Sequence, residues 1–299
     1  MEKIIITGAS GLIGKKLTEL LSAKGYEVIH LVRKAPTNSK VKFHLWNPDK
    51  NELDEAAFEN VDHIIHLAGE NISNRRWSDN QKKLLRNSRI ATANLLFEKS
   101  KNAKLKTFVS ASGISLYGTA TSENIYNEES KPTSDFLAQL TVDWEKAADQ
   151  FSAREARVVK IRTAVVLSKT GGALEKMVKP IRMGFGSPLG NGKQYFPWIH
   201  LDDLCQIYVN AIQDKKLTGA YNAVSPEHCT NRELTLAIAK NLNKKIWMPA
   251  VPAFAIKILF GEMGNLILKG SRISSTKILS TGFQFQYPTL EAALKDCLK

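Results

Sequence analysis

Residues 3–25 read KIIITGASGLIGKKLTELLSAKG. A short run of β-branched residues meets three glycines, Gly8, Gly11 and Gly14, and then a stretch with Leu17, Leu20 and Leu21 on one helical side. Glycine at the turn permits positive φ, and the missing side chains let backbone come close to a bulky anion. The helix that follows opens with free amides and a partial positive charge. Strand, glycine turn and helix in this order predict a dinucleotide site at Gly8, Ser10, Gly11, Leu12, Ile13 and Gly14. The plainer alternative is a structural glycine turn.

Beyond it, EVIHLV, DHIIHLAG, KTFVSAS, RVVKIRTAVVL and GAYNAVS read as strands. Helical stretches separate them, including LLRNSRIATANLLFEKS, FLAQLTVDWEKAA and HLDDLCQIYVNAIQD. Near-continuous apolar strands alternating with helices predict an α/β fold: a doubly wound parallel sheet covered on both faces. The Gly- and Pro-rich stretch from Lys169 to Trp198 reads as irregular. These textures give a Rossmann dinucleotide-binding domain over 1–168, rejoined by 198–225. A smaller substrate or C-terminal domain takes 169–197 and 226–299. The late apolar stretch AFAIKILFGEMGNLIL is broken by Lys257, Gly261, Glu262 and Gly264. It is shorter than the roughly 20 apolar residues of a membrane span, so it reads as a buried or interfacial helix.

The 299 residues carry a formal charge of +13, and 43% of them are hydrophobic, ample for a large core. Such a charge suits anionic partners, but the lysines are scattered, which also fits a merely basic surface. No nucleic-acid reading motif is present. Three cysteines without CxxC or metal-ligand spacing predict no metal site and suit a reducing compartment. MEKIIITG enters a strand directly, without signal-peptide order. The expectation is a cytoplasmic protein acting on a small molecule, with no specific nucleic acid and no membrane partner; a homodimer is left open.

A site for NAD usually carries Asp or Glu at the end of the second strand, where it accepts from the adenosine ribose. Here that strand ends Leu31-Val32-Arg33-Lys34. With no carboxylate and two cations, Arg33 and Lys34 point to NADP(H), whose 2′-phosphate a guanidinium can grip. A solvated loop charge is the alternative.

The spacing GxxGxxG resembles that of the short-chain dehydrogenase/reductase superfamily. HLAGENISNRRW, LLRNSRIATANLL, FLAQLTVDWEKAA and NGKQYFPWIHLDDL follow in order and resemble its atypical extended members. More closely, the chain is similar to the epimerase-family proteins labelled NAD-dependent epimerase/dehydratase or, in bacteria, cell division inhibitor. Its tail from Val251 resembles that subfamily's own C-terminal domain. The resemblance implies a seven-stranded sheet and a small substrate domain. It implies that Leu67, Ala68 and Gly69 line the cofactor, that Arg89 reaches it from the next helix, and that Thr163 to Val165 approach the nicotinamide end. Arg89 in a surface ion pair is the alternative.

Most of the superfamily uses Ser or Thr with Tyr and, four residues later, Lys. Hydride transfer at an oxygen-bearing carbon needs a proton moved at that oxygen, and a cationic Lys lowers the phenol's pKa to make it useful. Counting back from Glu145 puts Leu137 at the Tyr position and Thr141 at the Lys position; neither titrates. Ser112 is the best Ser candidate, with Gly113 in the alternative register and Ser115 nearby. A backbone-capping hydroxyl is the other reading of Ser112. Tyr117 is a second catalytic candidate, or an aromatic packing residue. Substrate candidates are Glu70 and Asn71, which follow HLAG, the group Arg75, Arg76 and Trp77, and His200. Trp77 could instead anchor its loop, His200 could be structural, and Asp202 reads as a helix cap. Two functions follow: an NADP(H)-dependent oxidoreductase or epimerase with a nonstandard proton donor, or a noncatalytic nucleotide-binding sensor or scaffold, tied to cell division only by the family label.

Overall fold

A computed structural model describes residues 1–118 and 120–299. The first strands are β1 (Lys3–Thr7), β2 (Glu27–Val32), β3 (Lys42–Asn47), the two-residue β4 (Glu52–Leu53) and β5 (His63–His66). Helix α1 (Leu12–Ala23) links β1 to β2, and α2 (Asp79–Lys99) follows β5. Next come β6 (Thr107–Gly113), β7 (Ile125–Tyr126), α3 (Phe136–Asp149), β8 (Arg157–Thr163) and β9 (Val165–Leu167). Helix α4 (Ala173–Arg182), β10 (Trp198–His200), α5 (Leu201–Gln213) and β11 (Gly219–Ala223) complete the sheet region. The remainder holds α6 (Asn231–Asn241), α7 (Ala253–Phe260), α8 (Asn265–Leu268), β12 (Arg272–Ile273), α9 (Thr276–Leu279) and α10 (Leu290–Cys297).

The main sheet runs β11-β8-β6-β5-β1-β2-β3-β4. All neighbours pair in parallel except β3 with β4. The implied seven parallel strands are therefore present, with a short antiparallel edge added. Successive residues of β1 explain its unbroken apolar run. Ile4 and Ile6 enter a core with Leu17 and Leu21 of α1 and Leu204 and Tyr208 of α5, whereas Ile5 joins Leu95 and Leu96 of α2 and Phe151 on the other face. Both faces are dry, so alternation is absent. The strand order reverses between β1 and β5, and in such sheets the ligand crevice lies beyond the carboxyl ends of the strands at that point.

Three local expectations are corrected. The strand over residues 42–47 is unforeseen: KFHLWN carries Lys42 and His44 on a part-exposed edge, so it lacks the apolar run of its neighbours. RVVKIRTAVVL is two strands, because Ala164 donates to Ala223 O at 3.1 Å while Val165 turns away to bond Pro197 O at 3.1 Å; β9 then pairs with β10. The Gly/Pro-rich segment contains α4, whose Leu174, Val178 and Ile181 are buried. The late apolar stretch is α7 and α8 separated by a 3-10 turn, and much of α7 is exposed. Among the described residues, no helix is long and apolar enough to cross a membrane.

Phe151 is fully buried and stacks on Phe108 at a centroid distance of 3.7 Å. Phe151→Ala should cost about 3–5 kcal/mol through lost burial and a residual cavity. Urea unfolding should show a lowered midpoint with an unchanged slope.

Candidate functional site

The glycine turn is shaped by backbone contact. Gly8 has φ +69°, and a Cβ there would stand 2.9 Å from the carbonyl carbon of Leu67. A Cβ on Gly14 would stand 2.6 Å from both Ala9 Cα and Gly8 O. Neither position tolerates a side chain. Gly11 opens α1 without any side-chain cap, so the first amides of the helix, at Leu12 and Ile13, face outward for an anion. Ser10 is exposed beside them. This tight, side-chain-free cradle fits a pyrophosphate. Arg33 and Lys34 are exposed at the end of β2, on the neighbouring strand.

The loop after β5 is tied to β1 by one hydroxyl. Thr7 Oγ1 accepts from Leu67 N and Ala68 N, each at 3.1 Å, and lies 2.8 Å from His66 Nδ1. His66 Nε2 is 3.2 Å from Thr92 Oγ1, which itself bonds the Ser88 and Arg89 carbonyls at 2.9 Å. The pattern assigns a neutral ring: Thr7 donates to Nδ1, and Nε2–H donates to Thr92. Complete burial pushes the His66 pKa down to about 4. Arg89, sought as a cofactor contact, lies beneath the same loop. It is 8% exposed and donates to Leu85 O at 3.1 Å and to Glu70 O at 2.9 Å. Its guanidinium sits 5.0 Å from the Trp144 ring, and burial lowers its pKa to about 10. A Cβ on Gly69 would meet that guanidinium carbon at 3.2 Å. Arg89 thus supports the loop from below, and the surface-ion-pair alternative does not describe it. Thr163 and Val165 flank the point where the chain leaves the main sheet. A Cβ on Gly172, just downstream, would lie 3.7 Å from Leu12 Cδ2, bringing this segment beside the glycine turn.

The two catalytic candidates are placed differently from the expectation. Ser112 is 4% exposed and its hydroxyl donates to Glu145 Oε1 at 2.6 Å. Glu145 pairs with Arg162 through Nε at 2.8 Å and Nη2 at 2.9 Å. Arg162 Nη1 donates to the Tyr117 hydroxyl at 2.9 Å, and Tyr117 donates to Asn222 Oδ1 at 2.7 Å. Burial raises the Tyr117 phenol, which has no exposed surface. Both hydroxyls are spent inside a buried polar network, since the buried Glu145–Arg162 pair needs every available partner. Ser115 is the hydroxyl left at the surface of this wall. It lies 2.9 Å from Thr141 Oγ1, and Thr141 donates to Leu137 O at 2.7 Å, so Ser115 donates to Thr141. Its own lone pairs stay open to a ligand's O–H or N–H, and the rotor can turn to donate instead. Leu137, in the Tyr position, is 3% exposed and packs with Leu85 and Leu140, flanked by Trp77, Phe136 and Leu266.

The substrate candidates divide. Trp77 is the loop anchor: its Nε1 donates to Ile72 O at 2.9 Å, and its ring meets Phe136 edge-on at 5.7 Å. Glu70 accepts from Asn74 Nδ2 at 3.4 Å, and Asn71 Oδ1 accepts from Ser73 N at 2.9 Å. Arg75 and Arg76 are exposed; Arg76 lies against Gly261, where a Cβ would come 3.0 Å from its Nη2. These four lie on the loop after β5, which meets the C-terminal segment at Gly261. His200 is elsewhere. It caps α5, its Nδ1 accepting from Asp202 N at 3.2 Å, and its ring lies 3.8 Å from that of Tyr287. Asp202, expected as the cap, instead pairs with Lys16 at 2.8 Å. The His200, Asp296 and Cys297 ligand atoms lie within 4.8 Å of one another. Burial raises the Cys297 thiol to about 12.

Residues 4–224 match the NAD dependent epimerase/dehydratase family. The chain belongs to that family. Residues 251–297 match a domain of unknown function, DUF1731. Among its relatives, an epimerase family protein of Mycobacterium tuberculosis is 38% identical over 292 residues, covering 97% of this chain and 96% of that one. The mouse epimerase family protein SDR39U1 is 34% identical, covering 98% and 99%. The crystal structure of human SDR39U1 (isoform2) with NADPH superposes with a TM-score of 0.88 at 33% identity, covering 99% of this chain and 98% of that one. UDP-glucose 4-epimerase of Thermotoga maritima shares the fold, with a TM-score of 0.79 at 19% identity.

In this epimerase/dehydratase chain, two buried groups give the stability separable acid limbs. The unfolded chain takes up a proton on His66 below about pH 6.5, and the folded chain only near the depressed value of about 4. Stability is therefore full above about pH 6.5 and falls by on the order of 3 kcal/mol down to about pH 4. At Glu145, burial works against the charge, but the Arg162 hydrogen bonds and charge and the Ser112 hydroxyl outweigh it and hold the carboxyl below its ordinary value. Its contribution is present above the unfolded value of about 4.3 and is lost as pH falls through the folded one. Urea titrations from neutral to acid pH should show His66→Gln flattening the first limb and Glu145→Gln flattening the second. Glu145→Gln should also lower neutral-pH stability by about 3–5 kcal/mol, because Arg162 is left buried without its counter-charge.

Proposed function

We propose that the chain is an NADP(H)-binding, oxidoreductase- or epimerase-like protein of the cytoplasm, acting on a small molecule without the superfamily's Tyr–Lys pair. The observation that carries this reading is the exposed pair Arg33 and Lys34 on the strand next to a glycine cradle too tight for any side chain. The NADPH in the human relative's structure supports it, as do three free, buried cysteines. In this reading Gly8 through Gly14 hold the pyrophosphate, Leu67, Ala68 and Gly69 the ribose side, and Thr163 and Val165 the nicotinamide end. Residues 169–197 and 226–299 form the substrate side. When bound, the nicotinamide supplies hydride chemistry. Ser115, backed by Thr141, holds the substrate oxygen, and among the described residues its hydroxyl bonds no phenol or ammonium that could move a proton.

The second reading is a noncatalytic nucleotide sensor or scaffold. It is favoured by the apolar packing of Leu137 with Leu85 and Leu140, which buries a side chain that cannot titrate.

Calorimetric titration tests the cofactor. NADPH should bind more tightly than NADH, and Arg33→Ala should cost roughly 1.5–3 kcal/mol of NADPH affinity and much less for NADH. Equal affinity for both cofactors in the unaltered protein would overturn the assignment. Following NADPH absorbance across superfamily sugar-nucleotide and ketone substrates should give rates about 10²–10⁴ below those of an enzyme with a positioned acid. Robust turnover abolished by Ser115→Ala but not by Ser112→Ala would place the chemistry at Ser115; no turnover with tight NADPH binding would leave the sensor ahead.

A further inference from the structure

Three adjoining segments outside the cofactor region carry protruding apolar side chains. Met183 and Phe185 follow α4, Trp247 precedes α7, and Phe254, Ile258 and Leu259 lie on α7 itself; they are 59–69% exposed. The segments are locked side by side. Val251 N donates to Pro188 O and Gly190 N to Val251 O, each at 2.9 Å. A Cβ on Gly186 would stand 2.9 Å from Ile246 Cδ1. Exposed Lys179, Arg182, Lys244, Lys245 and Lys257 are interspersed. The sequence has no Asp or Glu anywhere in residues 176–190 or 240–260. Elsewhere acids punctuate the surface and pair with its cations, as Asp143 does with Arg86 and Asp149 with Lys160.

We propose that this face docks on an anionic lipid surface, independently of the cofactor reading. Large apolar side chains that protrude, ringed by cations with no acid among them, are what an interfacial element presents to headgroups and the acyl boundary. A second copy of the chain fits poorly. A two-fold contact sets the same patch against itself and would face these cations with their own copies. A folded protein partner would need to offer apolar pockets for six separate protrusions with acids set between them, whereas a lipid surface yields to any outline. Phe254 and Ile258, one helical turn apart, would enter the acyl boundary, with Lys257 and the Lys244–Lys245 pair at the phosphates. The exposed face of α7, too short to cross a membrane, would thus lie along one.

Vesicle co-sedimentation of the full chain tests this, using phosphatidylcholine alone and mixtures containing roughly a third phosphatidylglycerol at about 0.15 M salt. Sedimentation with the anionic vesicles and not the neutral ones is expected, with a blue shift of tryptophan emission that Trp247→Phe removes. Phe254→Ser with Ile258→Ser, and separately Lys244→Glu with Lys245→Glu, should each weaken vesicle binding by about tenfold or more. Because all four side chains are exposed, the urea midpoint should stay put, which separates this loss from unfolding. Failure to sediment with anionic vesicles would overturn the proposal. So would binding indifferent to the Phe254/Ile258 change, or a dimer in light scattering that this change converts to monomer.

Discussion

One hydroxyl holds the two loops of the crevice in register. Thr7 ends the central strand and takes both amides at the start of the loop after β5, while its own proton goes to His66. The bare backbone of Gly8 then rests on the Leu67 peptide. The crevice at the reversal of strand order is therefore a fixed joint between neighbouring strands, set before any ligand arrives. Its cost is a histidine kept neutral in a dry interior. Arg89 extends the same joint downward, giving a buried guanidinium to carbonyls of its own helix and of the loop above.

The opposite wall follows a different logic. On this wall the chain sets an aliphatic side chain, Leu137, beside a Thr141 hydroxyl committed to its own helix. Charge has not left this wall; it has moved inward, to Glu145 and Arg162, where it fastens α3 to the sheet. A buried ion pair contributes little net stability over apolar packing, but it penalises any arrangement that separates it. The wall is thus well specified and poor in proton donors at its surface.

Much of this was legible in the residues. Apolar runs, glycine turns and helical periods gave the parallel sheet, and the missing carboxylate beside Arg33 marked the nucleotide preference that is proposed here. What escaped were matters of direction. Ser112 and Ser115 share a short segment, and only the pleat of β6 and the turn after it decide that the first bonds Glu145 and the second Thr141. His200 sits in a suggestive WIHLDDL context, yet its strand pairs with β9 and carries it to Tyr287. The edge strand over 42–47 was hidden because a part-exposed edge has no reason to be uniformly apolar. In the sequence Ser115 stands only as a neighbour of Ser112, and its bond to Thr141 is what sets it apart.

The Ser112–Glu145–Arg162–Tyr117–Asn222 chain joins β6, α3, β8, the turn before Gly118 and β11. Sliding α3 by even one turn would break several of these bonds at once and strand charges in the interior. Such a wall acts as a doorframe. Whatever widens or narrows the crevice for an incoming molecule falls to the segments laid against that frame, where the loop of Trp77 meets Phe136 and Leu266 and the Lys82–Glu262 bridge closes over water-exposed surface. That bridge is a latch of modest strength, so differences in ligand size among close relatives should be written in residues 70–82 and 260–268 and leave α3 untouched.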